Sequence, residues 1–244
     1  MSKRLRFFLG HFAISAALTF ASVVWIFNIW YPMPLASAIG VTEIFLMLIC
    51  IDMIVGPLLG WMVYKEHKAS LKFDLGIVIF IQICAFFYGF YSITEGRPVW
   101  LVYNVDRFEV IRANELIMDK IEQASPNYQN PSWWKPQFVG VKFSQNIEQK
   151  NQDMFEEILA GISIAQRPER YVPLEQVSSQ IQQRSQNLNA LLDFNEKADV
   201  DNTLKKYPAA NAWVPLKANH QDMVVLINKD QAKVIKIVNL KPWS

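Results

Sequence analysis

The 244-residue sequence predicts a membrane protein: a three-helix transmembrane bundle over residues 1–94, followed by a C-terminal α+β domain over residues 95–244. Three observations predict it. Up to residue 94 the chain is mostly apolar and aromatic and holds three stretches long enough to cross a bilayer; from Glu95 onward Asn, Gln, Lys and Glu abound; and the basic residues flanking the apolar stretches are unevenly placed.

The spans follow from length. A hydrocarbon core of about 30 Å needs about 20 apolar helical residues, because backbone polar groups must pair internally where water is absent. The first span, about 7–30, carries no Asp, Glu, Lys or Arg and ends in the interfacial aromatics Trp25, Phe27, Trp30 and Tyr31, after which Pro32 and Pro34 stop the helix. The second runs over about 38–64 and the third over about 75–93, with Tyr88, Phe90 and Tyr91 near its far end. A basic start before an apolar run is shared with cleaved signal peptides, but this run is long, aromatic-rich and lacks a small-residue cleavage site before Trp30, so it is expected to be retained.

Orientation follows from charge. Lys3, Arg4 and Arg6 precede the first span and Lys65, Lys68 and Lys72 separate the second from the third, whereas residues 31–41 have no Lys or Arg. The positive-inside rule then puts the N-terminus in the cytoplasm and everything after Ile93 on the far side, which in a Gram-negative bacterium is the periplasm.

Beyond the membrane, Gly96, Arg97 and Pro98 break the third helix, and Val99–Val105 reads as a strand leaving the membrane surface. Three groups follow helical spacing and are expected to pack on a sheet: Leu116, Ile117, Ile121 and Ala124; Met154, Phe155, Ile158, Leu159 and Ile162; and Leu174, Val177, Ile181, Leu188, Leu191 and Leu192. Met223–Ile227 and Val234–Val238 flank a polar segment in the manner of a hairpin. Trp133 and Trp134, after a Pro- and Asn-rich loop, are expected in the core rather than at the membrane surface.

Few residues offer chemistry. Asp52 lies mid-span, where a carboxylate costs roughly 2.5–3.5 kcal/mol, so it should face protein, either pairing with a polar group of the other spans or binding a partner helix. Pro57 removes a backbone donor and leaves the carbonyl of Met53 without its helical bond, while Gly56 admits a close neighbour, so IDMIVGPLLG reads as a kinked, polar-lined contact surface. Gln82 suits an interhelical hydrogen bond. Glu43, nine residues before Asp52, falls on the opposite face near the outer interface, and Asp74 complements the N-terminus of the third helix. Arg97, Asp106 and Arg107 are a candidate membrane-proximal ion-paired cluster anchoring the soluble domain.

Several classes are set aside. A net charge of +2 with scattered cations argues against nucleic acid. His11, His67 and His220 fall on different sides of the bilayer and cannot share a metal site; there is no phosphate-binding Gly-rich loop, paired-cysteine motif or serine nucleophile elbow, so no catalytic residue, metal or cofactor is expected. Cys50 and Cys84 both lie in apolar spans, where they serve as small apolar residues. A single intramembrane acid without an inverted repeat makes no ion pathway.

The order of several short motifs resembles the type IV pilin accessory proteins of the TfpX/TfpZ family. It rests on WYPMP (Trp30–Pro34), IDMIVGP (Ile51–Pro57), LKFDL (Leu71–Leu75), Gln82, Tyr88 and Gly89, Arg97 and Pro98, DRFE (Asp106–Glu109), WVPL (Trp213–Leu216) and the closing Pro242 and Trp243. The resemblance is carried by the membrane half and the strand after it. It implies an inner-membrane protein that contacts the major type IV pilin and modulates its stability or assembly into pili, with Asp52, Gly56, Pro57 and Gln82 receiving the pilin helix and the outer domain touching the pilin head. Lipid is the other expected contact, and nothing in the sequence fixes an oligomeric state. Two further readings stand beside it: a membrane-anchored extracytoplasmic ligand-binding or sensory module, whose inner loop of about ten residues leaves the output to a partner, and a membrane enzyme, for which Asp106, Arg107 and Glu109 are the nearest polar group.

Overall fold

The computed structural model describes residues 1–143 and 146–244; inside the helix Ile147–Ala160 the side chains at 149, 150, 152–154, 157 and 160 lie outside the described set, that of Met154 among them. Three helices are long and apolar enough to cross a membrane, Lys3–Trp30, Val41–Val63 and Leu71–Glu95. The first is α1 (Lys3–Trp25), whose start is capped by Ser2 Oγ accepting from the Leu5 amide, and it runs on as a π-helical turn over Ile26–Trp30. A short α2 (Leu35–Ile39) follows the two prolines. The second long helix comprises α3 (Val41–Ile49), a π-helical stretch Cys50–Val55 and α4 (Gly56–Val63); the third is α5 (Leu71–Glu95).

The second span begins at Val41 rather than 38, because Gly40 adopts a left-handed conformation (φ 79°) that separates α2 from α3. A side chain there would be strained by that φ, and its Cβ would press on the ring of His220 at 3.0 Å. At the opposite end of the bundle Arg4 donates to the Trp61 carbonyl (2.7 Å) and lies 4.1 Å over its ring. That contact puts the basic N-terminus and the end of α4 together, at the end of the bundle away from residues 31–40. The outer faces carry exposed Phe20, Leu46, Met62, Phe80, Phe87 and Tyr88, an apolar surface of the kind that marks contact with lipid or with another protein.

The remainder is a curved sheet of eight strands: β1 (Pro98–Asn104), β2 (Arg107–Arg112), β3 (Gln137–Val141), β4 (Tyr171–Val172), β5 (Gln186–Asn187), β6 (Ala212–Lys217), β7 (Met223–Asn228) and β8 (Lys233–Val238). Their order is β4-β3-β1-β2-β6-β7-β8 with β5 on β6; β1–β3 and β2–β6 are parallel and the other pairs antiparallel. The expected strand after the membrane is β1, and the expected C-terminal hairpin is β7–β8.

Strand alternation divides the apolar residues between two faces. Leu101, Tyr103, Phe108, Val110, Val214, Leu216, Val225 and Ile227 form the inner core of a half-barrel, while Trp100, Val102 and Val139 on one stretch, and Trp213, Val224 and Leu226 on another, face outward into two smaller clusters. The inner core is completed by residues from between the first two long helices. Leu35 and Ala38 are buried in it, Leu35 beside Leu101, Phe138 and Ile237, and the amides of His220 and Gln221 both donate to the Ala38 carbonyl (3.0 and 3.1 Å). Residues 31–40 thus plug the half-barrel.

Three expected helices come out differently. Residues 113–124 form two single 3-10 turns, because the Glu115 side chain folds back on the Arg112 amide and the Ile117 amide is taken by the Gln166 carbonyl. The 174–192 stretch is broken: after a 3-10 turn (Leu174–Val177) and a short α8 (Ser178–Arg184), β5 pairs with β6, so Val177 and Ile181 enter the inner core but Leu188 and Leu191 an outer cluster. Short α6 (Pro126–Gln129) and α9 (Lys197–Lys206) flank the sheet. The middle helix exists as α7 (Ile147–Ala160), yet Phe155, Ile158 and Leu159 stand exposed instead of on the sheet.

Candidate functional site

The bundle is held by a polar network that starts with a backbone fault. In the π-helical stretch the Gly56 amide bonds to the Ile51 carbonyl, five residues back. The Asp52 carbonyl has therefore lost its α-helical donor, Gly56, and its π-helical donor is residue 57, a proline without an N–H. Gln82 on α5 replaces both: its Nε2 donates to the Asp52 carbonyl (2.9 Å) and to Ser15 Oγ on α1 (3.0 Å). Its Oε1 lies 2.8 Å from His11 Nε2, which fixes the histidine as the Nε2–H tautomer. One side chain thereby ties all three long helices together, the use expected of Gln82. The carbonyl released is that of Asp52 and not Met53, because the turn before the proline is π and not α.

Gly56 makes this possible. A Cβ there would sit 2.1 Å from Gln82 Oε1, so the space at Gly56 is filled by the amide of Gln82, and Gly60 likewise admits His11. Gly56 and Pro57 are both buried, Gly56 against Gln82 of α5.

The Asp52 carboxyl lies outside this network. It is 5% exposed, and its Oδ1 is buried with no hydrogen-bond partner among the described residues. It lines a crevice of about 350 Å³ between α1 and α5, walled by Ile14, Leu18, Ile79, Ile83 and Phe87. Helix α4 packs on both α1 and α5, which leave each other open on the crevice side. Glu43 is exposed in the first turn of α3, as expected, and Asp74 pairs with Lys68 and Ser70 in the first turn of α5.

At the domain end the expected ion-paired cluster does not form. Arg97 lies just before β1, whereas Asp106 and Arg107 lie beyond its far end, about 20 Å along the strand at roughly 3.3 Å per residue. The Asp106–Arg107 pair is exposed, at 3.2 Å. Arg97 is instead 5% exposed, donates to the Thr94 carbonyl (2.8 Å) and lies 4.4 Å over the Trp133 ring; burial lowers its pKa. Tyr31 closes the same corner: its hydroxyl donates to the Ile93 carbonyl (2.8 Å), and burial pushes its pKa upward.

Trp133 and Trp134 are not core residues. Both are more than 60% exposed. They meet the end of the first long helix: Trp30 Nε1 donates to the Trp133 carbonyl (2.8 Å), and the Trp25 ring lies tilted against that of Trp134, centroids 5.9 Å apart. The arrangement is an aromatic collar where the first long helix meets the domain. The sequence signal was there in the Trp25–Trp30 group, but its partner lay a hundred residues away. Among the described residues no group of His, Cys, Asp or Glu is placed to hold a metal ion.

No family model matches the chain, and no solved structure does. Curated proteins do. The fimbrial assembly proteins of serogroups E1 and I of Dichelobacter nodosus are each 29% identical to it, over 202 and 201 residues, covering 80% of this chain and 78% of each relative. The fimbrial assembly protein of serogroups C1 and C2 of the same organism is 32% identical over 116 residues, 47% of this chain and 88% of the relative. With that relative matched over nearly all its length, the chain belongs to the family of these fimbrial assembly proteins.

Proposed function

We propose that this protein is a type IV pilin accessory protein of the bacterial inner membrane, which contacts the major pilin and modulates its stability or its assembly into pili. The observation that carries this reading is the likeness to fimbrial assembly proteins over 202 residues, a stretch longer than the helical part or the sheet domain alone. The apolar outer faces of the three helices suit lipid. The basic residues at the end of the bundle away from the sheet suit a cytoplasmic N-terminus and a periplasmic domain. In this reading the protein works by contact and not by catalysis: the bundle meets the apolar helix of a membrane-held pilin while the sheet domain meets its head.

Deleting the gene in its own bacterium tests the proposal. The expected result is a change in surface pili by electron microscopy or in pilin level by immunoblot, restored by the intact gene, with the mass of pilin unchanged. Unaltered pili and pilin would overturn it, and a changed pilin mass would replace it with an enzyme. An alkaline phosphatase fusion at the C-terminus is expected to be active; activity of a cytoplasm-only reporter there would reverse the topology.

A further inference from the structure

We infer that the crevice between α1 and α5 receives an apolar transmembrane helix of another protein, one that brings a hydrogen-bond donor to the Asp52 carboxyl. Asp52 is an acceptor buried among apolar walls; Gln82 gives its amide hydrogens to Ser15 and the Asp52 carbonyl, His11 Nε2 bonds Gln82, and the Ser15 and Thr19 hydroxyls that share the crevice make no bond to Asp52 Oδ1. An acceptor left unpaired in such surroundings is costly, and a hydroxyl, amide or ammonium removes the cost. Shape agrees with chemistry. The walls Ile14, Leu18, Ile83 and Phe87 are exposed and apolar, and the opening runs between two long helices that α4 holds apart on its far side. A lipid chain fits the walls but has no donor for the floor, which is why the occupant is a helix with a polar group at that depth.

The inference rests on the reading that these helices span a membrane; it adds where the partner sits and which chemistry selects it. The test places a photo-crosslinking benzoylphenylalanine at Phe87, inside the crevice, or at Phe73, exposed on α5 outside it, in the full chain in its own bacterium. Expected is an adduct from position 87 and not from 73, whose partner peptide maps by mass spectrometry to an apolar helix with a donor side chain or amino terminus. Asp52→Leu is expected to reduce that adduct at least about tenfold. Asp52→Asn keeps it for a neutral donor and loses it for an ammonium, and either result supports the inference. Where Asp52→Leu lowers the amount of chain, Leu18→Trp fills the crevice from its outer wall and leaves the Gln82 network alone; it too should abolish the adduct. An adduct indifferent to Asp52→Leu or to Leu18→Trp, one with lipid alone, one with a second copy of this chain, or none would overturn the inference. An Asp52-dependent adduct with a protein other than pilin keeps the crevice and removes the pilin contact; altered pili on deletion without such an adduct removes the crevice alone.

Discussion

Gln82 gives the Asp52 carbonyl the hydrogen bond that Pro57 cannot, at 2.9 Å across two helices. Such a bond within apolar surroundings is worth about 0.6–1.7 kcal/mol. Gln82→Leu is therefore expected to destabilise the bundle by about that amount or somewhat more, since Ser15 and His11 lose a partner as well. Pro57→Ala supplies a backbone donor at residue 57, and in that background the cost of Gln82→Leu should shrink. Thermal unfolding in detergent of the two single variants and the double reads the coupling; purely additive effects would contradict the account of the released carbonyl.

Two glycines of the long helices should respond oppositely to alanine. At Gly56 the new methyl displaces the flexible Gln82 amide, which can swing aside only by giving up its bonds to all three partners, a loss of about 1–3 kcal/mol. At Gly76 nothing lies within 4 Å, so Gly76→Ala should be neutral or slightly stabilising through helix propensity. Equal melting shifts in detergent would contradict this.

Leu35 is 2% exposed inside the half-barrel although it belongs, by sequence, to the connection between the first two long helices. Leu35→Ala should cost about 2–5 kcal/mol, as other buried leucines do. Its distinctive sign is local: residues 31–40 should become a site of limited proteolysis, while a variant at exposed Met33 leaves them protected.

Acid should loosen the sheet domain near Glu115. Burial by itself raises that carboxyl's pKa, but bonds from the Arg112 side chain and amide and from Asn219 outweigh it and hold it below its ordinary 4.5. A carboxyl depressed in the folded state contributes stability above its unfolded value and loses it as pH falls through the folded one. The domain's melting temperature should thus drop below about pH 4.5, and Glu115→Gln should flatten that part of the profile while costing about 1–3 kcal/mol at neutral pH. An unchanged acid limb in the variant would assign the sensitivity to other groups.

Much of this was legible in the sequence because the bilayer and the pleat impose simple periods. Thirty ångströms of hydrocarbon demand long apolar runs, which gave the three helices, and alternation gave β1 and the β7–β8 hairpin. Gln82 was legible because an amide in such a run must find a partner. What escaped depends on contacts distant in sequence. The partner of Gln82 was hidden by a π-helical register that shifts the released carbonyl by one residue. WYPMP reads as a stop signal, and nothing in it announces that Leu35, just beyond, enters a sheet formed after residue 98. Trp133 and Trp134 look like core residues until Trp25, Trp30 and Arg97 are seen to meet them outside it. In 174–192 the helical spacing was real, but β5 pairing divided it between two faces.

The inserted 31–40 segment has a consequence for any client that touches both halves of the molecule. A second tether beside the α5–β1 junction denies the sheet domain free rotation over the bundle, so its stand-off and azimuth are set in advance. A client gripping one half then meets the other as an intramolecular event, at an effective local concentration in the range of about millimolar. Two feeble contacts add up to avidity under that condition, and cutting the tether would cost binding without removing a single contact residue.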